Sequence, residues 1–351
     1  MTPAVFRKHF PALERRIHLA SCSLGARSTD LDDALQRMAE DLSGDGWSSF
    51  EREVLQARQG FATLIGADVD QIALVPNASV GAYQAASTME FGKRWKIVTS
   101  PVEFPSIAHV WLAQRPRGAE VVFDAEPDEH TRLVSVPLVA YRDGRRMPMP
   151  DPQGAQLFVD AYQAVGVMPV DVSELDCDFL VGGAMKYVSG LPGLAFLYVR
   201  SPDTERFPQL TGWFGRVNPF AFDPRTLDFP GTAARFETGT PAVPACYAAN
   251  AALGLIGALD LAEVRMHVRQ LTELAADRLT AQGELIHAPA ERGAHIGLAD
   301  PDPAAVARGL ASRGVTVSPR GDLVRLSFHY YNNADDVAAL CDALADLRSG
   351  R

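Results

Sequence analysis

The chain has 351 residues, 47% of them hydrophobic, enough for one large α/β core and a smaller lobe. Lysine and arginine number 33 against 43 aspartate and glutamate, a formal charge of -10, and no stretch gathers enough basic residues to track a phosphate backbone. Nucleic acid is therefore not an expected partner. No run of about 18 uncharged apolar residues occurs, and the N-terminus has no short apolar core followed by a small-residue cleavage site. The expectation is a soluble, cytoplasmic protein with no membrane partner.

In chain order, the first 40 residues are expected to pack with a C-terminal lobe. The stretch "VPNASV" puts Asn77, Ala78 and Ser79 at a turn from a strand into a helix, where free backbone N–H groups and the helix dipole favour an anion. Strands are expected at 96–100, 120–124, 133–141, 156–161, 179–183 and 194–199, separated by Gly, Pro and Asp punctuation or by helical patterns. That alternation predicts a mostly parallel sheet covered on both faces. The long segment from Thr240 to Gln282 is helical in pattern and leads into short strands and a final helix. The expected division is an N-terminal segment over 1–40, a large domain over 41–255 and a small α+β domain over 256–351. Cys22, Cys177, Cys246 and Cys341 are scattered, with no CxxC pair and no histidine cluster, so free thiols and no metal site are expected.

Asp160 and Lys186 each fall at or just past the carboxyl end of a predicted strand. In an open parallel sheet those ends face the ligand crevice, so an acid and an amine would share one cleft. Taken by spacing alone, a surface ion pair of little energetic worth accounts for them equally well.

Their neighbours point further. "VDAYQAVG" (Val159–Gly166), "GGAMKY" (Gly182–Tyr187), "FETGTP" (Phe236–Pro241) and "VRLSFHYYN" (Val324–Asn332) together resemble the class V aminotransferase superfamily of pyridoxal 5'-phosphate enzymes, fold type I. "SLGARS" (Ser23–Ser28), "EFPS" (Glu103–Ser106) and "TGWFGR" (Thr211–Arg216) are most similar to its kynureninase and carbon–sulfur lyase branch. The resemblance implies a large domain with a mostly parallel seven-stranded sheet and a small α+β C-terminal domain. It makes Lys186 the residue that carries the coenzyme and later acts as base, and Asp160 the carboxylate that keeps the pyridine nitrogen protonated. By the same resemblance Ala78 and Ser79 hold the phosphate, Gln163 contacts the coenzyme, and Phe104 stacks on its face. Thr240 and Trp213 reach the site across a homodimer with shared active sites. Arg325 clamps the substrate carboxylate through two parallel hydrogen bonds, while Arg216 and Arg320 are candidates for a second contact with substrate.

Two departures bear on the reaction. Met185 precedes the lysine where kynureninases carry a tyrosine and class V desulfurases usually a histidine. The segment from Val315 to Val324 lacks the mobile cysteine a desulfurase uses, and Cys341 lies beyond Arg325 in a helical pattern. The reading is a lyase that acts on an amino acid and cleaves a Cβ–S or Cβ–C bond, with an aminotransferase or epimerase as the enzymatic alternative and a coenzyme-binding sensor as the non-enzymatic one.

Overall fold

The computed structural model describes residues 1–204 and 206–350. Its strands are β1 (Ile17–His18), β2 (Ile72–Val75), β3 (Lys96–Thr99), β4 (Glu120–Phe123), β5 (Thr131–Pro137), β6 (Gln156–Asp160), β7 (Phe179–Gly183), β8 (Ala195–Val199), β9 (Ile286–His287), β10 (His295–Ala299), β11 (Val315–Thr316), β12 (Ser318–Arg320) and β13 (Leu323–Ser327). The helices are α1 (Pro3–Arg7), α2 (Thr29–Asp41), α3 (Gly46–Ile65), α4 (Ala78–Ser87), α5 (Pro105–Leu112), α6 (Val172–Leu175), α7 (Val243–Gly257), α8 (Leu261–Ala281), α9 (Pro303–Ala311) and α10 (Ala334–Ser349).

Seven strands form one sheet in the order β2-β8-β7-β6-β5-β3-β4. Only β8 runs against the others. The sequences IALV, FLVGG and AFLYV are buried along their whole length, as expected of strands covered on both faces rather than alternating between core and water. Apolar cores lie on both sides: Phe61, Ile65 and Phe196 belong to one, Trp111, Ile107 and Phe158 to the other.

The predicted strands recur with trimmed ends. The main difference is at 133–141, where β5 stops at Pro137 and Leu138–Tyr141 turns into a hairpin, with Val139 bridging Arg146. Proline has no N–H to donate to the ladder and sits at the strand's last position. The long helical segment is two helices, α7 and α8, set at 84° to one another. Asp260 caps the second by accepting from the Ala262 and Glu263 N–H groups. No single helix among the described residues is long and apolar enough to cross a membrane.

The C-terminal part carries a four-stranded antiparallel sheet in the order β12-β13-β10-β9. The N-terminal segment ties to it. β1 pairs with β11, the Ser327 N–H donates to the Leu19 carbonyl at 2.9 Å, and Phe10 packs against Tyr331 with ring centroids 4.9 Å apart. Helix α2 instead lies against α7. The path from β1 onward carries Cys22 and Ser23 to the carboxyl end of the large sheet.

Candidate active site

Chain reversals at the carboxyl ends of β2, β6 and β7, together with β12 and β13, enclose a cavity of about 260 Å³. Asp160 ends β6 inside it. Lys186 lies in the connection between β7 and β8, two strands hydrogen-bonded directly to one another. Glycines shape that connection. A Cβ on Gly25 would come within 2.3 Å of the Lys186 carbonyl oxygen, and the Gly25 N–H donates to the Met185 carbonyl at 2.8 Å. The "SLGARS" stretch is thus pressed against the lysine loop and cannot carry a side chain there. A Cβ on Gly183 would stand 1.8 Å from Tyr162 Cζ, so only glycine lets the Tyr162 ring lie over that strand end.

Lys186 Nζ sits 4.7 Å from the centroid of Tyr162 and 5.6 Å from that of Phe104. Phe104 is held by Tyr141, edge to face at 5.1 Å and 88°. Asp160 accepts the Tyr162 N–H at 2.8 Å. Burial pushes the Asp160 carboxyl above its ordinary value, opposed by that N–H and by the Lys186 charge. Burial pushes the Lys186 amine down to about 8, with Asp160 opposing the fall. Burial disfavours the charge on each group, and each favours the charged form of the other. Glu103 is buried as well, accepting from the Phe104 N–H at 2.8 Å and from Ser135 Oγ at 3.1 Å. Burial and the nearby Asp160 charge hold its carboxyl well above the usual range.

At the opposite wall, Asn77 caps α4 by accepting the Val80 N–H at 3.0 Å, while Ala78 and Ser79 of the first turn line the cavity. Their N–H groups precede the first intrahelical bond and point an anion-binding helix end into the cavity. Gln163 donates from Nε2 to the Cys22 carbonyl at 3.0 Å, and its Oε1 is buried without a partner. Arg325 is 1% exposed. Its guanidinium donates to Ser318 Oγ at 2.6 Å and to the Tyr141 carbonyl at 2.8 Å, and it forms no ion pair among the described residues. A buried cation so fixed, with N–H groups to spare, is arranged for an anionic ligand. Arg320 also lines the cavity.

The fold therefore gathers Lys186, Asp160, Ala78, Ser79, Phe104, Gln163, Arg320 and Arg325 in one cavity. Three other candidates lie apart from it within the chain. Thr240 lines a separate depression beside Pro76 and Gly193. Trp213 and Arg216 line another. The Arg216 guanidinium is engaged by both Asp228 oxygens, at 3.0 and 3.1 Å. Sequence reasoning missed Tyr162, Glu103, Tyr141 and Cys22 as cavity or cavity-supporting residues. Tyr162 and Glu103 stand next to motif residues and could have been proposed from adjacency; Cys22 and Tyr141 arrive through tertiary packing that no local pattern encodes. Cys341 lies on α10 and does not line the cavity.

These residues suit pyridoxal 5'-phosphate on the chemistry of the donor set alone. An amine and a buried carboxylate share a cleft roofed by an aromatic ring, a helix end stands ready for a phosphate, and the unpartnered Gln163 Oε1 marks a polar contact still to be made.

Comparisons with known proteins agree. The sequence profile described as aminotransferase class-V matches residues 45–340. The chain is 34% identical to a Bacillus subtilis (strain 168) protein named uncharacterized aminotransferase YcbU, over 98% of this chain and 97% of that one. It is 28% identical to the kynureninase of Pseudomonas fluorescens, covering 89% and 84% of the two chains. Among solved structures, the apo cysteine desulfurase of Thermococcus onnurineus NA1 superposes with a TM-score of 0.89 at 21% identity, covering 100% and 99%. The cystine C-S lyase C-DES in complex with cysteine persulfide superposes with a TM-score of 0.87 at 20% identity, covering 96% and 99%. At those identities the structural likeness establishes the fold. With the cavity built as described and the family profile spanning most of its length, the chain belongs to the class V aminotransferase family and is a pyridoxal 5'-phosphate-dependent enzyme of fold type I.

Proposed function

We propose that the enzyme is a lyase that takes an α-amino acid and cleaves a Cβ–C or Cβ–S bond. The observation that carries this reading is the single cavity holding Lys186, Asp160, Phe104, the first turn of α4 and Arg325. The bound coenzyme supplies an electron sink for bond breaking at the substrate α-carbon. Asp160 holds a proton on the ring nitrogen, and the Ala78 and Ser79 N–H groups take the phosphate. Phe104 covers one face and excludes water. Arg325 orients the substrate carboxylate. Lys186, whose amine burial pushes down to about 8, is suited to act as a base. The choice of lyase is supported by the kynureninase relatives. Desulfurase chemistry is disfavoured by the segment of residues 315–324, from β11 through β12 into β13, which contains no cysteine.

The same reading makes the working protein a cytoplasmic homodimer with shared sites. Two observations support the dimer. Trp213 and Thr240 lie outside their own chain's cavity, and the surface around Trp213 leaves Val217, Phe222 and Leu227 more than 60% exposed.

The test is product analysis after incubating the loaded enzyme with kynurenine, cysteine S-conjugates and common amino acids. A lyase turns over one amino acid steadily with no keto acid present. Steady turnover only with a keto acid would reassign it as an aminotransferase. A protein-bound persulfide, lost on replacing Cys22 or another single cysteine, would make it a desulfurase.

A further inference from the structure

Resting on the reading above, we propose that the substrate carries a second anionic group on its side chain and that Arg320 recognises it. The class is α-amino acids with a carboxylate, sulfinate or similar acid at the far end.

Register places the two arginines on one face. Ser318 stands opposite Arg325 and Arg320 opposite Leu323, so Arg320 and Arg325 are diagonal neighbours on the same side of the hairpin and both line the cavity. The turn between them is pinned by the ion pair of Arg142 with Asp322, which removes Asp322 as a partner for Arg320. Among the described residues Arg320 forms no ion pair or side-chain hydrogen bond. Its charge is felt inside the site, since Arg325 and Arg320 both help lower the Lys186 amine.

The cavity lining holds Lys186, Arg320 and Arg325 against Asp160. Of the three cations that line the cavity, Lys186 faces Asp160 and Arg325 is fixed by Ser318 and Tyr141, whereas Arg320 is held by no side chain among the described residues. With the coenzyme bound, Lys186 and Asp160 would hold its aldehyde carbon and ring nitrogen and the end of α4 would hold its phosphate, so none of these would be left for a further substrate anion. The substrate carboxylate satisfies Arg325. With Arg325 given to the substrate carboxylate, Arg320, exposed and on the same face of the hairpin, is the cation left to meet an acid at the far end of the substrate. An anion there gains an interaction that a neutral side chain of equal length cannot make.

The experiment is calorimetric binding of unreactive acids to coenzyme-loaded protein: succinate and glutarate against butyrate and valerate, with wild type, Arg320→Gln and Arg320→Lys. Wild type should prefer the diacid by about tenfold or more, the scale of one charged hydrogen bond. Arg320→Gln should bring that ratio below about threefold, and Arg320→Lys should restore much of it. In parallel, kcat/KM for acidic over neutral amino acids should fall in Arg320→Gln, mostly through KM. A wild-type preference below about threefold, or an undiminished preference in Arg320→Gln, overturns the proposal. Failure of the coenzyme reading shows separately, as protein that takes up no coenzyme at all.

Discussion

Replacing Lys186 by Met keeps the length of the side chain and removes its charge. The amine falls from an ordinary value of 10.5 to about 8 because it is buried, so the folded chain binds fewer protons than the unfolded one between those values. The sign follows: the buried ammonium costs stability at neutral pH, and the cost is relieved as pH rises toward 10.5. At about 1.4 kcal/mol for each pH unit, the cost is about 3 kcal/mol at pH 7 and about 1.4 kcal/mol at pH 9.5. Wild type without coenzyme should therefore gain about 2 kcal/mol on Lys186→Met over that interval. Loss of the lysine also pushes the Asp160 carboxyl further up, and a raised carboxyl can only lose stability as pH rises, so this contribution does not cancel the trend. Urea unfolding of the two coenzyme-free proteins at pH 7 and 9.5 measures the difference directly. A difference that stays constant with pH, or moves the other way, would show that the amine is not held in a site that disfavours its charge.

Asp160→Asn preserves shape and deletes the charge; coenzyme affinity should fall about ten- to a hundredfold, the worth of one buried charged hydrogen bond, and turnover should fall further. Near wild-type kcat would remove Asp160 from the ring-nitrogen role. Gly183→Ala forces the Tyr162 ring off its seat, since the new methyl would stand 1.8 Å from Cζ, and should cost about 1–3 kcal/mol by urea unfolding together with weaker coenzyme binding. Unchanged stability and coenzyme affinity would mean the ring has room that the structure denies it. Mixing inactive Lys186→Ala protein with an inactive Thr240→Ala, Trp213→Ala double variant should restore activity, because one site of each hybrid dimer draws only on intact parts. Demonstrated subunit exchange with no rescue would place each site within one chain.

The parts of this site written in the sequence are those that depend on local periodicity. Asp160 and Lys186 follow buried β-branched and aromatic runs that can only be strands, and the connection between them is short enough that those strands must neighbour each other. Asn77 stands before Ala78 and Ser79 as a cap residue ahead of a helical pattern, which fixes where free N–H groups occur. Arg325 sits in an alternating run and is carried inward by its period of two. What the sequence hides is convergence. Cys22 reaches the cavity only because the segment after β1 runs along β13, and Tyr141 only because β5 ends early at Pro137 and the chain turns back. The upward push on the Glu103 carboxyl follows from two carboxyls meeting at depth, a fact of three-dimensional burial. For Trp213, Arg216 and Thr240 the motif names the residues, but one chain leaves them outside the cavity.

The central claim is that Lys186 binds pyridoxal 5'-phosphate covalently. Purified protein should be yellow, borohydride should shift its visible band, and peptide mass mapping should find the reduced coenzyme on Lys186, with none fixed in Lys186→Ala. An adduct on another residue, or one that persists in Lys186→Ala, would contradict the assignment on which the site rests.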